Sequence, residues 1–234
     1  MDIKVAWSGF VEQLITYGGW KKVVEGLGNT LLIAVVGLAI GIFIGTLLAV
    51  TKVVPQKKWH ARTFSKLTDI YVGFFRGTPI VVQLLVMYYV ILPLIGKEVP
   101  AVIVAVIVFG MNSGAYICEI MRSGIMSVDI GQMEAGRALG LNYCRTMTSI
   151  IFPQAVKNIL PTLGNEFIAL VKETSVVSFI TVLDLTNAFS QIGTGSYEYV
   201  IPYLVLALCY LVIVFIFTVL VRLLERRLRA SEKR

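Results

Sequence analysis

The amino-acid sequence predicts an all-α integral membrane protein, on the evidence of its composition, its long apolar runs and its clustered basic residues. Of the 234 residues, 57% are hydrophobic and 15% are charged, and the mean hydropathy is +0.81. Soluble domains carry about 25% charged residues. Several stretches continue for about 20 residues without a full charge, enough to cross a bilayer as a helix. Because lipid offers no partner for backbone polar groups, and the runs lack the alternation of barrel strands, we expect helices.

The apolar runs predict five membrane spans. They are preceded by residues 1–26, whose mixed aromatic and charged side chains are typical of an amphipathic helix at the membrane interface. The predicted spans are Leu27–Val50, Ile70–Ile95, Val102–Met121, a stretch that begins near Val156, and Val200–Leu224. We interpret residues 1–234 as a single transmembrane domain.

The first two spans contain local signals of their own. Gly37, Gly41 and Gly45 recur every fourth residue on one face of the first span, which predicts the close approach of another helix. The second span includes Arg76-Gly77-Thr78-Pro79. Since Pro79 lacks a backbone donor, we expect the helix to be disrupted here, with Arg76 in a structural or gating role.

Basic residues predict the orientation of the chain, because Lys and Arg concentrate on cytoplasmic loops. The loop Lys52–Lys66 holds five of them and the tail Arg222–Arg234 holds six, whereas the turn Gly96–Pro100 holds one. We therefore expect a multi-pass protein of the cytoplasmic membrane, with its N-terminus outside and its C-terminus in the cytoplasm. Because these basic stretches flank membrane spans, nucleic-acid binding is not expected.

The sequence offers no metal site and no catalytic residue. Cys118, Cys144 and Cys209 have no metal or redox spacing, and His60 is the single histidine. A phosphate-binding loop of the pattern G-x-x-x-x-G-K-[ST] does not occur, so the chain does not bind ATP by that means.

A long polar connection, which we call the 123–155 segment, separates the third and fourth spans. Asp129 followed by Gln132 resembles a capping box, and Gly140 fits a helix stop. Asn142 is placed to cap the next helix, and Pro153 is expected to interrupt the run into the membrane. These signals predict short helices, which either fill space at the bilayer surface or dock a soluble partner.

The stretch EAGRALGLNYCRTMTSIIFP resembles the cytoplasmic "EAA" loop of permease subunits of ABC importers. The family pattern is Glu-Ala-Ala, three residues, Gly, nine residues, Ile, one residue, Leu-Pro. Here Gly136 replaces the second alanine and Phe152 replaces the leucine. The stretches FFRGTPIVVQLLVMYY and LGNEFIALVKETSVVSFITVLDL look like the polar-amino-acid branch of that family. The resemblance assigns ATPase coupling to Glu134, Ala135, Gly136, Gly140 and Pro153.

The resemblance also implies an architecture and a set of partners. The fold would be that of a type I ABC-importer permease. The partners would be two ATP-binding subunits that hold ATP and Mg, an extracytoplasmic solute-binding protein, and a second permease chain. Five spans are few to enclose a solute path, so a pair of permeases is expected, with a homodimer favoured and a paralogue possible. No cofactor is expected in this chain.

Polar residues inside the spans are candidates for the substrate pathway, since such groups are costly in lipid. On the third span, Asn112, Tyr116 and Glu119 share one helix face, with Ser113 beside them. On the fourth span, Thr162 and Glu166 share a face, and Glu166 lies about 15 Å into the span, near mid-bilayer. The structural alternatives are an ion pair of Glu166 with Arg76 or Arg122, a protonated Glu166, and a local Glu119–Arg122 pair.

The predicted function is ATP-driven import of a polar amino acid, with a basic one favoured because a mid-membrane carboxylate suits an ammonium or guanidinium group. An ion-coupled secondary amino-acid transporter is the alternative, in which the glutamates would relay protons. It predicts internal repeats, and none is visible in the sequence. A membrane enzyme would need an interfacial cluster of His, Asp or Cys, which is also not visible.

Overall fold

The computed structural model describes residues 3–55 and 58–230, without the side chains of residues 229 and 230. Lys57, Lys233 and Arg234, which contribute to the predicted orientation, lie outside the described residues. All regular structure within the described ranges is helical. The α-helices are α1 (Ile3–Val11), α2 (Gly19–Val53), α3 (Trp59–Gly77), α4 (Ile80–Val86), α5 (Leu92–Leu94), α6 (Ala101–Met126), α7 (Ile130–Ala138), α8 (Tyr143–Thr146), α9 (Phe152–Glu173), α10 (Leu185–Ser196) and α11 (Val200–Ala230). Three π-helical turns (Glu12–Thr16, Met87–Ile91, Met147–Ile151) and a 3₁₀ helix (Thr174–Ile180) adjoin them.

Three of the described helices are long and apolar enough to cross a membrane: α2, α6 and α11. A fourth candidate is the pair Trp59–Gly77 and Ile80–Leu94, which is bent by 100°. The disruption predicted at Pro79 within the second span, expected over residues 70–95, is therefore confirmed, because two helices meet there at a sharp break. The predicted fourth span corresponds to α9, which has 22 residues. It carries four charged side chains and is not among the candidates that length and composition identify.

Helices α2 and α6 pack with their backbones in close approach. Gly37, Gly41 and Gly45 are all buried in this interface. A Cβ on Gly41 would lie 2.7 Å from Ser113 Oγ, and one on Gly45 would lie 2.7 Å from Ile117 Cβ. Glycines allow this separation because they have no side chain. The close helix approach predicted from the spacing of these glycines is confirmed.

The N-terminal segment packs against the rest of the chain. Residues 19–26 belong to α2, and the predicted amphipathic segment is therefore shorter than residues 1–26. Phe10 on α1 is buried in a cluster with Phe189 and Ile192 on α10. Helix α10, for which we made no prediction, begins after Asp184, whose carboxylate accepts from the backbone N–H groups of Thr186 (2.9 Å) and Asn187 (3.0 Å). An aspartate before an apolar run was the sequence signal for this helix.

Candidate functional site: the 123–155 segment and the polar cluster between helices α3, α6 and α9

Helix α7 of the 123–155 segment is capped by side chains at its start. Asp129 Oδ1 accepts from Gly131 N at 2.7 Å, as an N-cap residue does. The Gln132 side chain does not complete a capping box, since its Oε1 accepts from Gln154 Nε2 at 3.4 Å. The predicted helix start is therefore right, although the reciprocal bond of the capping box is not formed.

Gly140 ends α7 in a left-handed conformation. Its φ is +78°, which costs about 1–2 kcal/mol for a residue with a Cβ. Leu141 N donates to Gly136 O and Gly140 N donates to Arg137 O, both at 3.0 Å. This Schellman arrangement satisfies carbonyl groups at the helix end. The predicted helix stop is confirmed.

The faces of α7 differ in what they contact. Glu134, Ala135, Ala138 and Leu139 are exposed, and Leu139 is 78% exposed. Gly136 is buried, and a Cβ there would lie 2.6 Å from Thr146 Cγ2. Of the coupling residues that the resemblance assigns, Gly136 therefore faces its own chain, whereas Glu134 and Ala135 remain accessible.

The rest of the 123–155 segment connects α7 to the membrane helices. Asn142 caps α8 as predicted, because its Oδ1 accepts from Arg145 N at 2.8 Å. Tyr143 OH donates to Val53 O at the end of α2, also at 2.8 Å. Burial, and then the neighbouring Cys144, raise the pKa of the Tyr143 phenol, which keeps it a neutral donor. The expected interruption at Pro153 is not a break, because the backbone stays helical from Tyr143 to Glu173. A π-helical turn over Met147–Ile151 immediately precedes Pro153 and is the local change in helical geometry.

Polar side chains from α3, α6 and α9 lie along one side of α6, where Glu166 is partly buried and Arg76 and Tyr116 are exposed. Ser113 Oγ donates to Glu166 Oε1 at 3.3 Å, which joins α6 to α9. The Arg76 guanidinium at the end of α3 lies over the Tyr116 ring, 5.3 Å from its centroid. Among the described residues, Arg76 forms no salt bridge with Glu166. A guanidinium and a carboxylate therefore both contact α6, at Tyr116 and at Ser113 respectively.

Three other candidates contact different groups. Thr162 Oγ1 is exposed and donates to Asn158 O of its own helix at 3.2 Å. Glu119 Oε2 accepts from Arg122 at 2.8 and 3.1 Å, so the local pair considered as an alternative is present. Asn112 is 4% exposed and donates to Phe75 O and to the Gln83 side chain. Among the described residues, no group of three or more His, Cys, Asp or Glu side chains is placed to hold a metal.

Sequence reasoning missed two contributors to the cluster. Arg76 was placed in the helix break but not in the pathway, although an arginine within an apolar run is a signal for function. Gln83 was not considered, and its only signal was an amide in the run IVVQLLV.

A helical membrane bundle with a broken helix, polar side chains on its spans and an exposed capped helix on a peripheral segment is typical of a membrane permease. The family described as "Binding-protein-dependent transport system inner membrane component" matches residues 37–230, and this chain belongs to it. Its relatives include the arginine transport system permease protein ArtQ of Bacillus subtilis, 38% identical over 90% of this chain and 94% of the relative. The putative glutamine transport system permease protein GlnP of Rickettsia bellii is 39% identical, over 89% of this chain and 94% of the relative.

Solved structures agree with this assignment. A crystal structure of an amino acid ABC transporter with histidines has a TM-score of 0.83 at 39% identity, covering 92% of this chain and 97% of that chain. The MetNI methionine ABC transporter in an inward-facing conformation has a TM-score of 0.68 at 20% identity, covering 88% and 94%, and indicates the fold alone.

Membership in the family confirms the resemblance seen in the sequence and rules out the secondary-transporter alternative. The chain is the permease subunit of a polar-amino-acid ABC importer, a multi-pass inner-membrane protein without catalytic activity of its own. ATP hydrolysis belongs to a separate subunit, and the partners include that ATPase and a binding protein.

Proposed function

We propose that this chain transports a polar amino acid, with a basic one favoured, by alternating access between the two sides of the membrane. The single observation that supports the proposal is that α6 contacts a carboxylate and a guanidinium, through the Ser113–Glu166 hydrogen bond and through the Tyr116 ring beneath Arg76. The substrates named for the relatives, arginine, glutamine and histidine, are all polar amino acids. Each has an α-carboxylate, which is the complement of Arg76, and a basic amino acid adds a side-chain cation, which is the complement of Glu166.

The proposed topology has five spans in a single domain over residues 1–234, as in type I ABC importers. The spans are α2, the broken pair α3 and α4, α6, α9 and α11. Helix α9 is included despite its charges because Glu166 faces Ser113 rather than lipid. Helix α1 lies at the outer interface, the N-terminus is outside, and the 123–155 segment and the C-terminus are cytoplasmic.

The proposed assembly contains two such permeases and two ATP-binding subunits, with the binding protein at the outer face. A homodimer is the favoured pair, and a paralogous second permease is the other possibility. The coupling residues are Glu134, Ala135, Gly136, Gly140 and Pro153. Exposed Glu134 and Ala135 would contact the ATPase, while Gly136, Gly140 and Pro153 set the shape of the segment behind them.

The proposed pathway residues are those of the predicted set, with Arg76 added. Ser113, Tyr116 and Glu166 form its centre. Asn112 and Glu119 lie beside this centre and are held by hydrogen bonds to Phe75 O and to Arg122, and Thr162 contributes an exposed hydroxyl.

The attraction between Glu166 and a cationic substrate sets the size of the expected effect. Two opposite charges 4 Å apart in an effective dielectric of about 20 attract each other by roughly 4 kcal/mol before desolvation. Desolvation offsets much of this, and leaves a net effect on the order of 1–3 kcal/mol.

The test is the Glu166→Gln variant, which preserves the side-chain shape and removes the charge. Uptake by proteoliposomes that contain the assembled complex is measured for arginine and for glutamine. Arginine should lose roughly one to two decades of apparent affinity, with a smaller change for glutamine. Glu25→Gln is the matched control, because Glu25 is exposed on α2 away from the cluster. Parental affinity for both amino acids in Glu166→Gln would refute the proposed pathway.

A further inference from the structure

At the end of α3, side chains donate hydrogen bonds to the backbone carbonyl groups. The last carbonyls of a helix have no donor within the helix, and hydrocarbon supplies no water to replace one. Here Thr78 Oγ1 donates to Phe74 O at 2.8 Å. Gln83 reaches back from the first turns of α4, and its Nε2 lies 3.0 Å from both Phe75 O and Thr78 O and 2.9 Å from Thr78 Oγ1. Side chains therefore replace water at the 100° break.

A second side-chain amide, on α6, also donates to Phe75 O. Asn112 on α6 donates to Phe75 O at 3.2 Å and to Gln83 Oε1 at 3.0 Å. Phe75 O thus accepts from two side-chain amides that are also bonded to each other. Asn112 and Gln83 are 4% and 9% exposed, so both amides depend mainly on protein partners.

Because Phe75 directly precedes Arg76 in the chain, the hydrogen bonds to Phe75 O also constrain Arg76. The Phe75 carbonyl and the Arg76 nitrogen belong to one planar peptide unit, so fixing the oxygen fixes the plane from which Arg76 starts. The side chain of Arg76 then extends over the ring of Tyr116. Tyr116 is four residues after Asn112 on α6, hence on the same helix face. One face of α6 therefore holds the backbone of Arg76 and supports its guanidinium.

We infer that Gln83 and Asn112 are positioning residues for Arg76, whose guanidinium they hold over the Tyr116 ring for recognition of the substrate carboxylate. The inference rests on the proposed function, because it takes Arg76 as part of the pathway. A network that only stabilised the break would not depend on whether residue 76 is an arginine. A network that positions the guanidinium loses its effect on binding once that guanidinium has been removed.

The test is a double-mutant cycle with Arg76→Gln and Gln83→Met. Equilibrium binding of radiolabelled arginine is measured on the purified permease–ATPase complex in the absence of binding protein. Each single variant should weaken binding about tenfold, and the double variant should remain near tenfold rather than reach a hundredfold. Gln191→Met is the matched control, because Gln191 is exposed on α10 and its amide donates to Asn187 of the same helix. A hundredfold loss in the double variant, or parental binding in Gln83→Met, would overturn the inference.

A second measurement separates this inference from the proposed function. Spin labels at Phe74→Cys and Val82→Cys, both exposed and on either side of the break, report its geometry in a Cys144→Ser background. The distance distribution should broaden in Gln83→Met and stay narrow in Gln191→Met. If Arg76→Gln binds arginine normally, the proposed role of Arg76 fails and the inference fails with it, whereas Glu166→Gln still tests the pathway. If Gln83→Met does not assemble, Asn112→Ala takes its place, since it leaves the bonds donated by Gln83 intact.

Discussion

Gly136 of α7 and Thr146 of α8 are in direct contact: a Cβ on residue 136 would lie 2.6 Å from Thr146 Cγ2 and 2.8 Å from its Oγ1. Thr146 is fully buried and also donates to Asn142 O. This contact explains why glycine stands where the family pattern has a second alanine. The angle between α7 and α8 depends on the absence of a side chain at residue 136.

Gly136→Ala should therefore impair coupling even though alanine is the family's residue. The added methyl group overpacks a closed contact, at a cost of about 1–3 kcal/mol, and tilts α7 away from its docked position. Uptake per ATP hydrolysed should fall in proteoliposomes. Thr146→Ala removes the two closest atoms and should restore part of the ratio in the double variant. Parental coupling in Gly136→Ala, or a double variant worse than either single one, would contradict this account.

The effect of substituting Gly140 should depend on its backbone conformation rather than on the space around it. No heavy atom lies within 4 Å of a Cβ built there, yet φ is +78°. Gly140→Val should lower uptake per ATP and loosen the end of α7, because a β-branched residue disfavours positive φ. Gly140→Asn is the matched comparison and should retain most coupling, since asparagine tolerates this region. Equal activity of the valine and asparagine variants would show that the left-handed conformation is unimportant.

Two glycines on α2 provide a matched test of the α2–α6 contact. A Cβ on Gly41 would lie 2.7 Å from Ser113 Oγ and 3.1 Å from Gly114 N, whereas one on Gly28 would have no heavy atom within 4 Å. Gly41→Ala should lower the melting temperature of the purified complex, and Gly28→Ala should leave it unchanged or raise it. Because Ser113 bonds Glu166, Gly41→Ala should also weaken arginine binding. Equal melting temperatures would contradict the packing described.

The proposed orientation can be read from cysteine labelling. Cys144 in the 123–155 segment is exposed, Cys118 is buried and Cys209 is partly buried. A membrane-impermeant maleimide should leave intact cells unlabelled and should label Cys144 in inside-out vesicles. Cys144→Ser should abolish that signal. Labelling of Cys144 in intact cells would place the segment outside and reverse the topology.

The sequence by itself determined the class of the protein and most of the positions at which its helices begin, end or break. Composition and apolar runs indicate helices in lipid, because the bilayer leaves the backbone few other solutions. The stop at Gly140, the caps at Asp129 and Asn142 and the break before Pro79 were all predictable. Each depends on a residue acting on the backbone within a few positions of itself.

Only the tertiary structure decided which distant groups meet. Ser113 was identified as polar and intramembrane, but its bond to Glu166 spans 53 residues of chain. Likewise, the sequence does not say that Gln83 shares Phe75 O with Asn112, or that Gly136 faces inward. Periodicity gives the face on which a residue lies, whereas the helix that covers that face depends on packing between segments far apart in the chain. Local signals therefore predicted the individual helices, whereas the site is formed where helices distant in sequence pack against one another.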